Sequence, residues 1–142
     1  MTRTTHSYST ALLAAALALL AACESSDPRN TFGVTAGQFQ DVVVPTGLRL
    51  RDRANESHSR DEAGWRTAHL VYTGQTTIDD AVGYLRQRMP GHSWELVAET
   101  KLEEGGVQLQ FQRSIYSAQY QITRGDGATM MVVDYSTDYS RR

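Results

Sequence analysis

A strict alternation of apolar and polar residues in segment 107–112 restricts the fold of this chain more than any other feature. Three apolar residues alternate there with three glutamines, and a period of two places successive side chains on opposite faces of a β-strand. Segment 116–123 alternates in a similar way, segment 129–135 is predicted as the last strand, and the turn signal Gly125-Asp126-Gly127 lies between them. The pattern predicts an antiparallel meander with one buried face and one polar face.

Segment 94–101 is predicted to begin this meander, and a turn at Glu103-Glu104-Gly105-Gly106 follows it. The polar face is expected to be solvated. It is expected to carry Gln108, Gln110, Gln112, Gln119, Gln121 and Thr123.

One amphipathic helix is predicted over residues 77–89. Thr77 and Asp80 have the spacing of a capping box at its start, and Pro90-Gly91 ends it. Its apolar residues recur at helical spacing and form one face: Ile78, Ala81, Val82, Leu85 and Met89. This face is expected to cover one side of the sheet.

Two further strands are predicted ahead of the helix. Residues 48–51 alternate apolar and polar, and segment 65–73 is a second strand. Segment 41–44, ahead of both, is β-rich and stops at Pro45. Residues 52–64 have almost no apolar side chains and are expected to form an exposed loop. The predicted order is β-β-α-β-β-β-β. We therefore expect an α+β fold, a largely antiparallel sheet of about five to six strands with one helix packed on one face.

Residues 1–22 are predicted to be a signal peptide. Residues 11–22 are all alanine or leucine, and the segment before them carries Arg3. This apolar run is shorter than the roughly 18 to 20 residues of a membrane span. It also lacks the polar face of a helix in a globular domain. A basic segment followed by a short apolar run is typical of an export signal.

The apolar run ends in Leu20-Ala21-Ala22-Cys23, which resembles the lipobox of bacterial lipoproteins. The resemblance implies cleavage before Cys23, a diacylglyceryl group on its sulfur and a further acyl chain on its amine. Two or more acyl chains hold a protein durably at a bilayer, because each buried methylene contributes ~0.8 kcal/mol. Glu24, rather than an aspartate, follows the cysteine, and this favours the outer membrane, facing the periplasm.

The expected organisation of the 142-residue chain follows from these features. Residues 23–40, which are polar and without clear periodicity, are expected to be the lipidated cysteine and a flexible tether. Residues 41–136 are expected to form a single domain, a length typical of one hydrophobic core. Residues 137–142 are expected to be a polar tail.

A second resemblance extends over roughly residues 41–112. The helical segment 81–90 is followed by Trp94-Glu95-Leu96-Val97 and preceded by Val44-Pro45. This arrangement is similar to a helix-then-tryptophan pattern in small uncharacterised bacterial envelope lipoproteins. The resemblance implies their architecture and carries over no catalytic residue.

Composition narrows the classes of function. A net charge of -2, from 14 basic and 16 acidic residues, argues against a nucleic-acid binder. Cys23 is the single cysteine, so a disulfide framework within the chain is excluded. The sequence contains no phosphate-binding loop or dinucleotide fingerprint, and we expect no cofactor.

The sequence indicates neither a metal site nor a catalytic site. His58, His69 and His92 lack the short spacings of zinc ligands, and the nearest approach to a ligand set is His58 with Asp61 and Glu62. The acidic pairs Asp79-Asp80 and Glu103-Glu104 are explained by a helix start and a turn. No nucleophile elbow occurs, although a Ser-His-Asp set assembled in space stays open.

Two tryptophans and a series of arginines are the candidate binding residues. Trp65 and Trp94 each begin a predicted strand beside a polar loop, where an indole either packs in the core or anchors a partner at the rim of the sheet. Arg49, Arg51 and Arg53 alternate along a strand edge. They form a candidate basic stripe for anionic lipid or glycan carboxylates, and a mixed solvated surface is the alternative.

The sequence therefore predicts a non-enzymatic protein of the bacterial envelope, attached to the membrane by lipid on Cys23. Its small domain is expected to bind a partner protein or another envelope component. The alternative is a lipoprotein that binds a small molecule or a glycan on the sheet face away from the helix. A small hydrolase is the third hypothesis.

Overall fold

The computed structural model describes residues 39–51, 53 and 56–141. Within them the chain forms a seven-stranded antiparallel sheet and one α-helix, so the predicted α+β fold with a single helix is confirmed. The strands are β1 (Leu48–Leu50), β2 (His58–Glu62), β3 (Trp65–Gly74), β4 (Glu95–Lys101), β5 (Val107–Arg113), β6 (Tyr116–Gly125) and β7 (Ala128–Thr137). Helix α1 (Ile78–Arg88) lies between β3 and β4 along the chain.

The sheet has the order β1-β3-β7-β6-β5-β4, and β2 also pairs with β3. β1 lies beside one end of β3, where Leu48 pairs with Gly74, and β2 lies beside the other end. Strands β4 to β7 form the predicted meander of consecutive antiparallel neighbours. β7 then pairs with β3, which joins the meander to the first part of the chain.

The strand β2 was not predicted, because it lies in the segment expected to be a loop. It pairs with β3 from His58 to Glu62, yet four of its five residues are exposed. Backbone pairing alone therefore defines this strand, and no apolar alternation marks it in the sequence. Ala63 and Gly64 make the tight turn to β3, with φ angles of 49° and 85°, as a two-residue hairpin requires.

Segment 41–44 is β-rich but does not form a strand. Val42 and Val43 are nevertheless buried in the core, and the Val42 N–H donates to the Phe39 carbonyl at 3.0 Å. The apolar residues of segment 41–44 are therefore explained by burial in the core rather than by pairing in the sheet.

The helix agrees with its prediction. The Asp80 N–H donates to the Thr77 hydroxyl oxygen at 3.1 Å, which caps the first turn. Ala81, Val82 and Leu85 face the core. A short 3₁₀ segment (Met89–His92) containing Pro90 ends the helix.

The core lies between α1 and one face of the sheet, and α1 contacts β5 and β6 there. Its large, fully buried side chains are Trp94, Tyr72, Tyr120, Tyr135, Phe111, Leu70, Leu85, Met89, Leu109, Ile122, Met131 and Val133. In β3, β5, β6 and β7 these residues alternate with side chains of the opposite face. The alternation that predicted the meander thus also predicted which face is buried.

The two ends of the chain bear on the predicted organisation. The predicted signal peptide, Cys23 and the predicted tether up to residue 38 lie outside the described residues. At the other end β7 continues to the buried Thr137, and Tyr139–Arg141 form a 3₁₀ turn.

Candidate binding face on the open side of the sheet

The sheet face opposite α1, which we call the open face, carries rows of polar side chains. Register pairs Arg60 with Thr67, Thr67 with Ser136, Ser136 with Ser117, and Ser117 with Gln112. We call Thr67, Ser136, Ser117 and Gln112 the polar row. Because directly opposite residues point to the same face, these hydroxyl and amide groups lie side by side across four strands.

A parallel row contains the two histidines of the sheet. His58 pairs with His69, His69 with Asp134, and Asp134 with Gln119. The His69 Nδ1 and Asp134 Oδ1 atoms are 2.6 Å apart, and the rings of His58 and His69 stack with centroids 5.5 Å apart. The described residues include no group of three or more His, Cys, Asp or Glu side chains placed to hold a metal ion.

Trp65 lies at one end of the open face, because it precedes Thr67 by two residues in β3. It is 55% exposed, and its ring contacts the ring of Tyr139 with centroids 4.8 Å apart. The indole borders a cleft of about 370 Å³. This Trp65 cleft is lined by Arg60, Glu62, Ala63, Trp65 and Thr67.

An ion pair forms one wall of the Trp65 cleft. The Arg60 Nη2 and Glu62 Oε2 atoms are 2.6 Å apart, and the Glu62 hydrogen bond and charge raise the pKa of the Arg60 guanidinium. The two opposite charges neutralise each other there, so the wall offers donors and acceptors without a net charge.

A second cleft, of about 290 Å³, adjoins the other end of the polar row. This far cleft is lined by Gln110, Gln112, Ile115, Tyr116, Ser117, Ser136 and Asp138. Thr67, which lines the Trp65 cleft, is the direct register partner of Ser136, which lines the far cleft. The two clefts are therefore neighbours on one surface.

Trp94 is placed differently from Trp65, although both were candidate binding anchors. Trp94 is only 2% exposed, its Nε1–H donates to the Asp41 carbonyl at 3.1 Å, and the Arg113 guanidinium lies 4.7 Å from its ring. Of the two interpretations of Trp94, the structure therefore supports packing in the core, and its ring is not available to a partner.

The predicted basic stripe is not continuous. Arg49 and Arg53 are exposed, and Arg49 points to the open face as the partner of Thr73. Arg51 instead bonds Glu56 through two contacts of 2.9 Å, which neutralises the middle member. The arrangement corresponds to the mixed surface that was the alternative.

A third cleft, of about 540 Å³, surrounds the first described residues and is lined by Phe39, Gln40, Asp41, Arg66 and Arg113. Asp41 Oδ2 accepts hydrogen bonds from Arg113 and, at 3.2 Å, from the Tyr135 hydroxyl. Burial and then the charge of Asp41 raise the pKa of Tyr135 to about 12. Arg66 lies over the Phe39 ring and bonds Asp61 at 2.9 Å. These paired charges attach the start of the domain to the sheet.

The polar row and the Asp41 contacts were missed in the sequence. Thr67 and Ser117 were predicted as strand residues and Ser136 directly follows the last predicted strand, but only the register brings the three together. Asp41 is 72 residues from Arg113 and 94 residues from Tyr135, and no local pattern connects residues so far apart.

Comparison of the chain with models of known protein families, with curated proteins and with solved structures gave no match. Of the residues that the structure describes, none belongs to a helix long and apolar enough to cross a membrane.

Proposed function

We propose that this chain is a non-enzymatic, lipid-anchored protein of the bacterial envelope whose domain binds a partner protein or another envelope component through its open face. The lipobox pattern ending at Cys23 supports the anchor. An acylated cysteine followed by a polar tether holds a domain close to a membrane surface. The outer membrane, facing the periplasm, is the proposed location.

The exposed indole of Trp65 is the observation that carries the binding role. The large apolar side chains exposed among the described residues are Trp65, Leu96 and Val97. Leu96 and Val97 belong to the edge strand β4, and Leu96 pairs with Phe111 on the helix side. Trp65 borders a cleft on the open face, and tryptophan is enriched among residues that dominate binding energy.

The raised pKa values of Tyr72 and Tyr120 do not point to acid–base catalysis. Tyr72 and Tyr120 have strongly raised pKa values, and burial is the first cause for each. Both are core side chains on the helix side of the sheet. Their shifts are therefore explained by packing, whereas catalytic groups combine a shifted pKa with a position in a cleft.

A capture experiment tests the proposal. The whole purified chain is immobilised in detergent and challenged with detergent-solubilised envelope of the native host, and the captured material is analysed for protein and for carbohydrate. We expect one component in near-stoichiometric amount. Trp65→Ala is expected to lose it, because the indole supplies the contact area.

Leu96→Ala is the matched control, since it removes an exposed apolar side chain on the helix side of the sheet. It is expected to capture the same component as the unaltered chain. Capture of nothing specific, or equal capture by Trp65→Ala, would contradict a binding role for the open face.

A further inference from the structure

We propose that the ligand of the open face is a neutral saccharide chain that stacks one sugar ring on Trp65 and lies along the polar row. The proposal rests on the binding function proposed above and names the chemical class of the ligand. It follows from the Trp65 ring, the polar row, the two clefts and the charges around them.

Trp65 presents a fixed aromatic surface. The Tyr139 ring contacts the indole at 4.8 Å with an interplanar angle of 57°, so this contact holds the indole while Trp65 is more than half exposed. The face of an aromatic ring carries partial negative charge. The C–H groups of a pyranose carry partial positive charge, and they pack on such a face.

The polar row supplies the hydrogen bonds that sugar hydroxyls need. Hydroxyl and amide side chains each donate and accept, as sugar hydroxyls do. Thr67 and Ser136 are exposed, whereas Ser117 and Gln112 are half-buried. With strands about 4.8 Å apart, the distance from Arg60 on β2 to Gln112 on β5 is about 19 Å, which suits a short extended oligosaccharide.

The Trp65 cleft and the far cleft border opposite ends of the polar row. Trp65 and Thr67 line the first cleft, and Ser136, Ser117 and Gln112 line the second. Every member of the polar row therefore borders one of the two clefts. A ligand that enters both must cross the Thr67–Ser136 pair, which ties its length to the spacing of the strands.

The charges favour a neutral ligand. Arg60 is paired with Glu62 in the Trp65 cleft, and Asp134 is bonded to His69 in the adjacent row. The far cleft contains the carboxylate of Asp138, which accepts hydrogen bonds from Ser140. A uronate or a phosphorylated glycan would meet an Arg60 guanidinium that is already paired with a carboxylate, whereas a neutral glycan needs no cationic partner.

A protein partner fits this surface less well. The centre of a protein interface is apolar and depleted in charge, whereas hydroxyl and amide groups line both clefts where they adjoin here. Among the described residues, the one large exposed aromatic ring, Trp65, stands beyond the Thr67 end of the polar row rather than at its centre. This distribution matches sites where a few polar groups orient a ligand beside an aromatic wall.

Titration of the whole chain with neutral tetrasaccharides tests the inference. The protein is kept in a detergent without a sugar headgroup, because a glycoside detergent would compete. The probes are cellotetraose, chitotetraose and maltotetraose, with a tetragalacturonate as the charged comparison, and tryptophan fluorescence is the readout. We expect saturable binding of at least one neutral probe and binding at least about tenfold weaker for the charged one.

Variants separate this site from a non-specific effect. Trp65→Ala and Thr67→Val are expected to weaken binding by at least about tenfold, measured by calorimetry, and Leu96→Ala to leave it unchanged. Thr67→Ser, which keeps the hydroxyl, is expected to bind. Gln112→Ala is expected to weaken binding of the tetrasaccharide but not binding of the disaccharide with the same linkage, because only the longer probe reaches β5.

No saturable change with any neutral probe at about 10 mM, well above a weak Kd of about 1 mM, would overturn the inference. Equal binding by Trp65→Ala would overturn it too. If the capture experiment recovers a protein through Trp65 while no saccharide binds, the proposed function stands and the saccharide inference falls. If neither experiment detects a ligand, both fall.

Discussion

At the scale of single residues, the two tryptophans differ by the sites into which the backbone brings them. Trp65 begins β3 directly after the tight turn from β2, on a face that α1 does not cover. Trp94 follows Ser93, which has a left-handed φ of 63°, and this turn directs its ring into the core. The Asp41 carbonyl accepts the indole N–H there, so the buried polar atom is satisfied.

This difference predicts opposite effects of the same substitution. Trp94→Ala removes a buried aromatic ring and leaves a cavity, and we expect a loss of about 3 to 5 kcal/mol in the free energy of unfolding. Trp65→Ala removes a mostly exposed ring, and we expect a loss below about 1 kcal/mol. Urea denaturation followed by circular dichroism measures both. Comparable losses for the two variants would contradict these assignments.

At the scale of elements, the junction of β1 with β3 depends on one glycine. Gly74 ends β3 opposite Leu48, and a Cβ atom at this position would lie 1.9 Å from the Gly47 carbonyl oxygen. β1 has only three residues, so it has few other backbone contacts with which to hold its place. The turn before it uses Gly47 at a φ of 90°, a conformation that favours glycine.

Gly74→Ala is therefore expected to destabilise the domain by about 3 kcal/mol, because the backbone of β1 must move away. Gly83→Ala is the matched control. Gly83 lies on the exposed side of α1, where a Cβ atom would have no neighbour within 4 Å. We expect that variant to gain about 0.5 to 1 kcal/mol from higher helix propensity. Thermal unfolding of both proteins checks the opposite signs.

The sheet edge formed by β4 is also defined at this scale. All seven residues of β4 are exposed, and the register shifts between Leu96 and Ala98. A bulge in an edge strand interrupts the row of free backbone groups and disfavours pairing with another chain. We therefore propose no binding role for the exposed Val97 at this bulge.

At the scale of the whole molecule, one core holds together the helix, the meander and the start of the domain. Tyr72, Tyr120 and Tyr135 reach into it from β3, β6 and β7. Burial is the first cause of the raised pKa of each hydroxyl. Folding thus holds three phenols in their neutral form at pH values where they would ionise in water.

The raised tyrosine pKa values predict a loss of stability in alkali. An unfolded tyrosine ionises near pH 10, whereas Tyr135 in the folded chain has a pKa of about 12. Because the unfolded state loses protons first, the stabilisation is complete below about pH 10 and is lost as the pH rises above it. Urea unfolding at increasing pH from about 8 to about 11 measures this decline.

Tyr72→Phe is the informative variant for this prediction. The Tyr72 hydroxyl is buried without a hydrogen-bond partner among the described residues, so removing it is expected to cost no stability at neutral pH. The alkaline decline is expected to become shallower, since one ionising group is gone. An unchanged decline would show that other groups cause it.

The proposed attachment to the membrane is a property of the whole chain. Cys23→Ala removes the sulfur that the lipobox resemblance identifies as the acylation site. We expect this variant to lose metabolic fatty-acid labelling and to remain unprocessed or soluble, because no acyl chain is left to bury in the bilayer. Cys23→Ala protein that still incorporates label and partitions with membranes would contradict the lipid anchor.

The amino-acid sequence alone determined the local features of the domain. Periodicity identified α1, the meander and the buried side of β5 and β6, because a repeat of two or 3.6 residues can be recognised within one segment of the chain. The capping pair Thr77 and Asp80 is similarly local. The class of fold could be predicted for the same reason.

Only the tertiary structure decided which strands are neighbours and in what register. The strand order and register bring Thr67, Ser136 and Ser117 into one row. Pairing with β3 makes a strand of the polar segment His58–Glu62. The tertiary structure buries Trp94 and leaves Trp65 exposed. It also joins Asp41 to Tyr135 across 94 residues. Each of these features depends on contacts between distant segments, and local alternation carries no record of such pairings.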